Sequence, residues 1–133
     1  MTLGVRAVVI DAEGRVFLVR HSYMPGWHLP GGGIEAGMSA RTALDMELSE
    51  EGNIAVTGEP VFVGLYHNHI AAPRDHVALY VVRDFVQRGP RLPDREIVEC
   101  GFFAPDALPP DTTAGTRRRL AEVLEGVPPA STW

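Results

Sequence analysis

Short runs of aliphatic and aromatic residues recur along most of the chain, and polar segments rich in glycine and proline separate them. Runs of this length and composition are typical of β-strands. The pattern predicts strands at residues 5–11, 15–21, 27–29, 54–56, 61–69, 76–85 and 96–103. Ala12-Glu13-Gly14 separates the first two runs, which predicts a hairpin turn between them.

Two further segments carry the start and stop signals of α-helices. Ser39 is a predicted N-cap for a helix that runs to about Glu51, and Thr113 is a predicted N-cap for a helix at residues 114–125. Gly126 and the prolines after it end the second helix, and residues 127–133 are expected to form a frayed tail. Two helices with this order of strands favour the α+β class, arranged as an α/β/α sandwich. We expect one domain over residues 1–133, with its core at about 5–125.

The composition is that of an ordinary globular protein, with 45% hydrophobic and 22% charged residues in a chain of 133. The formal net charge of -5 argues against a surface that binds long nucleic acids, because their phosphates require a basic partner. A small phosphorylated ligand is compatible with this charge, because a bound cation neutralises phosphate locally. No apolar run reaches membrane-spanning length, and no N-terminal segment has the parts of a signal peptide.

Cys100 is the only cysteine, so an intrachain disulfide is impossible and a reducing, cytoplasmic location is expected. It lies in a predicted strand, which favours a place in the core over a role as a nucleophile. The sequence leaves the oligomeric state open, and a homodimer is one compatible arrangement.

Three glutamates, Glu47, Glu50 and Glu51, lie near the end of the first predicted helix. Their spacing places them on one face, where repulsion between like charges costs roughly 0.2–0.5 kcal/mol per pair. They also stand at the negative end of the helix dipole, where anionic side chains are unfavourable. A helical wheel groups them with Ala43 and Leu48 rather than with the other polar residues. Carboxylates turned toward the protein body need a metal ion or a basic partner, and a divalent cation among the three would satisfy them.

The segment around these glutamates resembles the Nudix box, G-x5-E-x7-R-E-U-x-E-E-x-G-U, in which U is a bulky aliphatic residue. Aligned on Gly32, the Arg-Glu-U-x-Glu-Glu core of the box falls on residues 46–51. Residues 27–32, Trp-His-Leu-Pro-Gly-Gly, also resemble the usual approach to the box. The similarity covers residues 5 to about 125, which is nearly the whole chain.

Three positions depart from the pattern of the box. Met38, Met46 and Asn53 stand where the family has Glu, Arg and Gly. Gly52, one residue early, is a candidate to replace the missing glycine, because Gly and Asn both tolerate the left-handed conformation of a helix C-cap. The part of the motif that binds metal is therefore intact, and the part that supports it is not.

The resemblance implies a hydrolase that uses water to cleave the pyrophosphate of a nucleoside diphosphate linked to another moiety. It also implies a mixed β-sheet between helices and a small, nucleotide-like substrate. Mg²⁺ or Mn²⁺ would be held by Glu47, Glu50, Glu51 and the Gly31 carbonyl, which are the oxygen ligands that hard cations prefer. The three glutamates are the expected catalytic residues. Glu47 is the expected general base, and Glu96 is the alternative.

The missing arginine raises a second hypothesis. Met46 neither donates a hydrogen bond nor carries a charge, so the glutamates should repel one another more and hold protons more tightly. The chain would then be a catalytically weakened Nudix-fold module that binds nucleotides or has a regulatory role. The three retained glutamates favour the enzyme, because a binding module has no reason to keep like charges together. Met38 removes another carboxylate, which Glu35 could replace, although a solvated Glu35 is the favoured interpretation.

Other candidate residues carry weaker signals. Arg20 and Trp27 flank the expected cleft and are candidates for contacts with substrate, but solvation at a strand edge and packing in the core explain them equally well. His67 and His69 share one strand face, as zinc ligands can, yet no third ligand has a matching spacing. The arginines at 117–119 could meet a phosphate, but a solvated helix face is favoured.

Overall fold

The computed structural model describes residues 2–133, and over this range the chain forms nine β-strands and two α-helices. In chain order the elements are β1 (Leu3–Val9), β2 (Val16–His21), β3 (Trp27–His28), β4 (Gly31–Gly33), α1 (Ala40–Gly52), β5 (Ile54–Val56), β6 (Val61–His67), β7 (His76–Val82), β8 (Phe85–Gln87), β9 (Ile97–Phe103) and α2 (Ala114–Glu125). Within this range no helix has the length and apolar character that a membrane crossing requires.

The strands form a mixed sheet and two smaller antiparallel sheets. The four-stranded sheet has the order β4-β1-β7-β6, and β1 is parallel to β7 but antiparallel to β4. β2 lies between β3 and β9 in a three-stranded sheet, and β5 pairs with β8. The parallel pair requires a long crossover connection, and the segment between β1 and β7 includes α1.

The two faces of the central strands build two hydrophobic clusters. Residues alternate between faces along a strand, so Phe17 and Val19 of β2 join the first cluster while Val16 and Leu18 join the second. Leu44 and Leu48 of α1 cover the first cluster, and Leu120 of α2 covers the second. The sheets therefore lie between the two helices, which confirms the predicted α+β class and its helix–sheet–helix layering.

The predicted helix caps are present. The side chain of Ser39 accepts a hydrogen bond from the Thr42 backbone N–H at 3.0 Å, and Thr113 receives the equivalent bond from Thr116. At the end of α1, Asn53 has a φ of 54° and its N–H reaches the carbonyls of Leu48 and Ser49. Asparagine tolerates this left-handed conformation, so Asn53 caps the end of α1 in place of the glycine of the family pattern.

Several predicted boundaries need correction, and β1, for example, runs from Leu3 to Val9 rather than over 5–11. The run at 76–85 is not one strand, because β7 ends at Val82 and β8 starts at Phe85 to pair with β5. β6 ends at His67 rather than residue 69, since a turn follows it in which the Ala71 N–H donates to the Asn68 carbonyl at 3.1 Å. Residues 31–33, which lie outside the predicted strands, form β4 and pair with β1.

The prediction of a frayed tail is wrong. The Trp133 N–H donates to the His67 carbonyl at 2.9 Å, and the His67 N–H donates to the Ser131 carbonyl at 2.8 Å. The Trp133 ring stands edge-on to Tyr66, with 5.6 Å between ring centroids. A β-carbon at residue 115 would lie 2.5 Å from the indole nitrogen, so Gly115 leaves the space that the ring occupies. The tail is ordered because its last side chain completes the second hydrophobic cluster.

Candidate active site

A cavity of about 700 Å³ lies beside the C-terminal half of α1. α1 forms one wall, β4 forms another, and the segment at 91–97 closes a third side. The residues with polar groups on this cavity are His21, Tyr23, Gly31, Gly32, Gly33, Glu47, Glu50, Glu51, Arg91, Asp94, Arg95 and Glu96. The structure thus brings the three glutamates and the glycine strand, which the sequence had separated by 14 or more positions, to one surface.

Glu51 is the most buried of the three glutamates, with 7% of its surface exposed. Its Oε1 accepts a hydrogen bond from the Gly31 N–H at 2.7 Å, which fixes the orientation of the carboxylate. Burial raises the pKa of Glu51 to about 7, although that hydrogen bond and the charge of Arg6 act in the opposite direction. In the absence of a cation, this carboxyl group holds its proton far more tightly than a solvated glutamate does.

Glu47 lies directly over Gly32, and the lack of a side chain at Gly32 makes this position possible. A β-carbon there would lie 2.5 Å from Glu47 Oε1, which is closer than real contacts allow. Burial raises the pKa of Glu47 from its ordinary value, and the charge of Glu50 raises it further. Glu50 itself is exposed on the rim of the cavity. The helical wheel predicts that all three carboxylates turn toward the protein body. Glu47 and Glu51 do so, whereas Glu50 is exposed.

The donor set fits a hard divalent cation in its chemistry. Three carboxylates share the cavity, and Mg²⁺ and Mn²⁺ prefer oxygen ligands while keeping several waters. In the described part of the chain, however, no three Asp, Glu, His or Cys side chains stand close enough together to hold a metal ion. The carboxylates line one cavity but would have to draw together around a cation.

His21 is one of the residues near the glutamates that the sequence did not indicate. It ends β2, it is 6% exposed, and neither of its ring nitrogens has a hydrogen-bond partner. Nε2 lies 3.6 Å from Glu51 Oε2, on the wall of the cavity. Burial lowers the pKa of His21 to about 4, so the ring is neutral at neutral pH and the contact is not an ion pair. Strand alternation was the available signal, because His21 continues the face of Phe17 and Val19 that turns toward α1.

Arg6 supplies the positive charge that Met46 does not. It lies on β1 opposite Gly31 in the β1–β4 pair, and its guanidinium donates to the Leu29 carbonyl. Burial lowers the pKa of Arg6, and the charges of Glu51 and Glu47 act to raise it. The same attraction acts to lower the pKa of both glutamates and so opposes part of the increase that burial causes. The cation thus comes from a strand rather than from the box, which no motif spacing could indicate.

Arg91 holds the opposite wall of the cavity against α1. Its Nε donates to the Glu50 carbonyl at 2.7 Å, and its Nη2 donates to Asp94 at 2.7 Å. Asp94 also accepts the backbone N–H groups of Ile97 and Glu96, and these bonds lower its pKa to about 2. A cation beside the last turn of a helix also offsets the negative end of its dipole. The predicted alternative base, Glu96, is exposed and lines the same cavity.

The structure places the remaining candidates elsewhere. Arg20 is partly exposed, pairs with Glu99 and borders a neighbouring cavity of about 470 Å³ rather than the glutamates. Trp27 is buried in the second cluster, edge-on to Phe103 with 5.0 Å between ring centroids. Cys100 is half-buried, and burial raises the pKa of its thiol, which suits a structural role.

Neither weaker alternative is assembled in the described residues. His67 stacks on His76 and its Nε2 contacts the Pro73 carbonyl, so its ring is engaged in local packing. The arginine cluster at 117–119 is not a uniformly solvated face, because Arg119 is fully buried. Arg118 and Arg119 both donate to the Trp133 carbonyl, so they fasten the tail.

Comparisons with known proteins agree with this geometry. A family model described as the NUDIX domain matches residues 1–124. An RNA pyrophosphohydrolase of Dinoroseobacter shibae is 48% identical over 54 residues, which are 39% of this chain and 34% of that protein. A MutT-like protein of Streptomyces ambofaciens is 28% identical over 128 residues, which are 96% of this chain and 80% of that protein. The crystal structure of a MutT Nudix hydrolase from Burkholderia pseudomallei has a TM-score of 0.78 and 25% identity, covering 92% of this chain and 97% of that one.

The fold is the one that this Burkholderia Nudix hydrolase has. The chain belongs to the Nudix family, because the family model covers nearly all of its residues. The resemblance read from the box is confirmed despite its three departures. The match to the Dinoroseobacter protein spans only about a third of that protein's length. The activity of that protein therefore cannot be transferred to this chain from the match.

Proposed function

We propose that this chain hydrolyses the pyrophosphate bond of a nucleoside diphosphate linked to another moiety, and that the reaction depends on Mg²⁺ or Mn²⁺. The observation that carries the proposal is the single cavity shared by Glu47, Glu50, Glu51 and the Gly31–Gly33 strand. Glu47, Glu50, Glu51 and the Gly31 carbonyl would hold the cation. When bound, the cation would neutralise the pyrophosphate and so reduce its repulsion of an incoming hydroxide.

In this proposal the other residues of the cavity bind and orient. Glu47 is the general base, as the resemblance to the box implies. The Gly31 N–H keeps Glu51 from rotating away. Arg91 and Arg95 line the same cavity as the glutamates and would contact the substrate phosphates. Glu96 stays the alternative base.

A hydrolysis assay tests the proposal. Nucleoside triphosphates, ADP-ribose, dinucleoside polyphosphates and 5′-triphosphorylated RNA would be tested with Mg²⁺ and with Mn²⁺, and the last substrate follows the name of the Dinoroseobacter relative. Loss of a general base costs roughly 100-fold to 10,000-fold in rate, so the hydrolysis rate of Glu47→Gln should be lower than that of the wild type by this factor. Glu125→Gln, an exposed residue of α2, is the matched control and should keep full activity.

The alternative function, a binding or regulatory module, predicts a different result. Nucleotide would bind, as measured by calorimetry, without turnover of any substrate in the panel. Arg6 favours the enzyme, because a buried cation beside Glu51 and Glu47 compensates for the Met46 departure on which the module hypothesis rests. The cytoplasmic location and the homodimer stay predictions, and light scattering during size-exclusion chromatography would measure the second.

Cation binding is tested separately from catalysis. A cation that binds the folded chain only should raise its melting temperature, because the unfolded chain has no preformed site. At ten times its Kd the gain is about 1.4 kcal/mol, which corresponds to a shift of a few degrees. Glu50→Gln should reduce the shift. An unchanged melting temperature in millimolar Mg²⁺ and Mn²⁺ would argue against a functional site.

A further inference from the structure

The His21 side chain is the one buried side chain in the described residues whose nitrogen atoms both lack a partner. A buried polar group without a hydrogen bond is unfavourable and is rare in folded proteins. Two neighbouring rings contact the imidazole without satisfying its nitrogens. Tyr23 is tilted by 50° against it with 5.1 Å between ring centroids, and His28 stands edge-on at 5.9 Å. His28 has its own partner, the Pro25 carbonyl.

The group that faces His21 Nε2 is the free oxygen of Glu51. Glu51 Oε1 accepts the Gly31 N–H, and this bond turns Oε2 toward the imidazole at 3.6 Å. That separation is longer than a hydrogen bond, so the two atoms do not satisfy one another. Two donors that bind one cation at about 2.0–2.2 Å are roughly 2.8–3.6 Å apart when they subtend 90–110°. The observed distance lies at the upper end of that range.

We propose that His21 Nε2 is a ligand of the catalytic cation, next to Glu51 Oε2. This inference rests on the cation site of the proposed function and adds a nitrogen to its oxygen ligands. Mn²⁺ and Mg²⁺ both favour oxygen ligands, but Mn²⁺, as a first-row transition cation, accepts an imidazole nitrogen more readily than Mg²⁺ does. The chain should therefore bind Mn²⁺ more tightly than Mg²⁺, and His21 should account for much of the difference.

Electron spin-echo spectroscopy of Mn²⁺ added alone to the wild-type chain tests the inference without any variant. A coordinated imidazole nitrogen modulates the echo, and labelling histidine with ¹⁵N changes that modulation in a characteristic way. We expect the ¹⁴N modulation in unlabelled protein and its replacement in labelled protein. Mn²⁺ bound without nitrogen modulation would overturn the ligand role and leave the proposed hydrolysis intact.

Calorimetry with Mn²⁺ and with Mg²⁺ provides the second readout. Loss of a ligand or its support typically weakens affinity by roughly tenfold to 100-fold, so His21→Phe should raise the Kd for Mn²⁺ by that factor and the Kd for Mg²⁺ by less. His28→Phe is the matched control, because that neighbouring ring has a protein partner, and it should bind both cations as the wild type does. Equal weakening for both cations would contradict the inference. No binding of either cation to the wild type would overturn the proposed cation site as well.

Discussion

The two faces of the central sheets bury charge in opposite ways. On the α2 side, Arg119 is fully buried and lies between the rings of Tyr66 and Trp133, 4.3 and 5.0 Å from their centroids. Its guanidinium donates two hydrogen bonds to the Glu122 carboxylate, at 2.8 and 3.0 Å, and others to the carbonyls of Thr132 and Trp133. Every charge in this cluster has an opposite charge or a dipole against it.

On the α1 side, the buried polar groups are only partly satisfied. Both nitrogens of His21 lack partners, and the glutamates that face the cavity repel one another. A buried ion pair with complete hydrogen bonding is compatible with a rigid structure, whereas an incomplete polar cluster stores unfavourable free energy until something binds to it. The comparison separates a cluster whose charged groups satisfy one another from a cluster that keeps unpaired polar atoms beside a cavity.

Removing the charge from the satisfied cluster should produce the largest loss of stability. Arg119→Met would leave the Glu122 carboxylate buried without a cation, which typically costs 3–5 kcal/mol, or on the order of 10 °C or more in melting temperature. Arg118→Met, one residue earlier and exposed, is the control and should lose about 1 kcal/mol or less. Equal losses in the two variants, measured by thermal and urea unfolding, would contradict the role assigned to Arg119.

The unsatisfied cluster should show itself in the pH dependence of the metal-free chain. The raised pKa of Glu51, about 7, means that the folded state favours its protonated form, so its contribution to stability falls as pH rises from about 4.5 to 7. The lowered pKa of His21, about 4, acts with the opposite sign, so its contribution rises between about pH 4 and 6.5. Each shift is worth about 3 kcal/mol, and the two oppose each other where the ranges overlap.

Variants separate these two contributions when urea unfolding is measured across pH. Glu51→Gln should gain stability relative to the wild type as pH rises from about 4.5 to 7, and His21→Phe should gain relative to the wild type as pH falls from about 6.5 to 4. Saturating Mn²⁺ should suppress the Glu51 effect, because the cation replaces the proton. Differences that do not vary with pH would show that neither group is perturbed in the folded chain.

A pair of glycine substitutions sharpens the assignment of Glu47. Gly32→Ala should displace the Glu47 carboxylate while leaving the fold intact, because the clash is with the end of a flexible side chain. Activity should fall by roughly tenfold to 100-fold, as it does when a supporting contact of a metal ligand is lost. Gly33→Ala meets nothing within 4 Å and should retain activity. Similar turnover numbers for the two variants would argue that the position of Glu47 does not matter.

The smallest effect is expected from restoring the arginine of the box. Met46 is half-buried, and Arg6 already provides positive charge near Glu51 and Glu47. A further, partly exposed cation is worth at most about 1 kcal/mol, so Met46→Arg should change kcat by about fivefold or less. A much larger gain would show that Arg6 does not replace the missing side chain.

Local signals were sufficient for most of the fold. Ser39 and Thr113 cap their helices because capping depends on a few neighbouring residues, and the strand runs are similarly local. The tail was mispredicted because its order depends on Trp133 meeting Gly115 and Tyr66, which are distant in sequence or on another element. Such long-range contacts have no periodic signature.

The candidate site also combines residues that a local motif predicts with residues that only long-range contacts bring together. The box predicted Glu47, Glu50 and Glu51, because one helix turn sets their spacing. His21 comes from β2 and Arg91 from a loop, and only the folded sheet brings them to the cavity. Arg6 comes from β1, and the fold brings its charge near Glu47 and Glu51. Strand alternation could have pointed to His21, whereas nothing in the sequence around Arg91 indicates its bond to the Glu50 carbonyl.

The placement of the tryptophans makes the intrinsic fluorescence of this protein one-sided. Trp27 and Trp133, the only two in the sequence, both pack in the second cluster beneath α2. Their emission therefore reports on the α2 face of the sheets, which holds Arg119. The glutamates of α1 lie on the opposite face. Fluorescence melts compared with circular dichroism, which samples both helices, would reveal whether the two faces unfold together, since coincident curves are the mark of a single cooperative transition. If tryptophan emission is the only signal in a cation titration, it would detect binding only through structural changes that extend across the sheets to the α2 face.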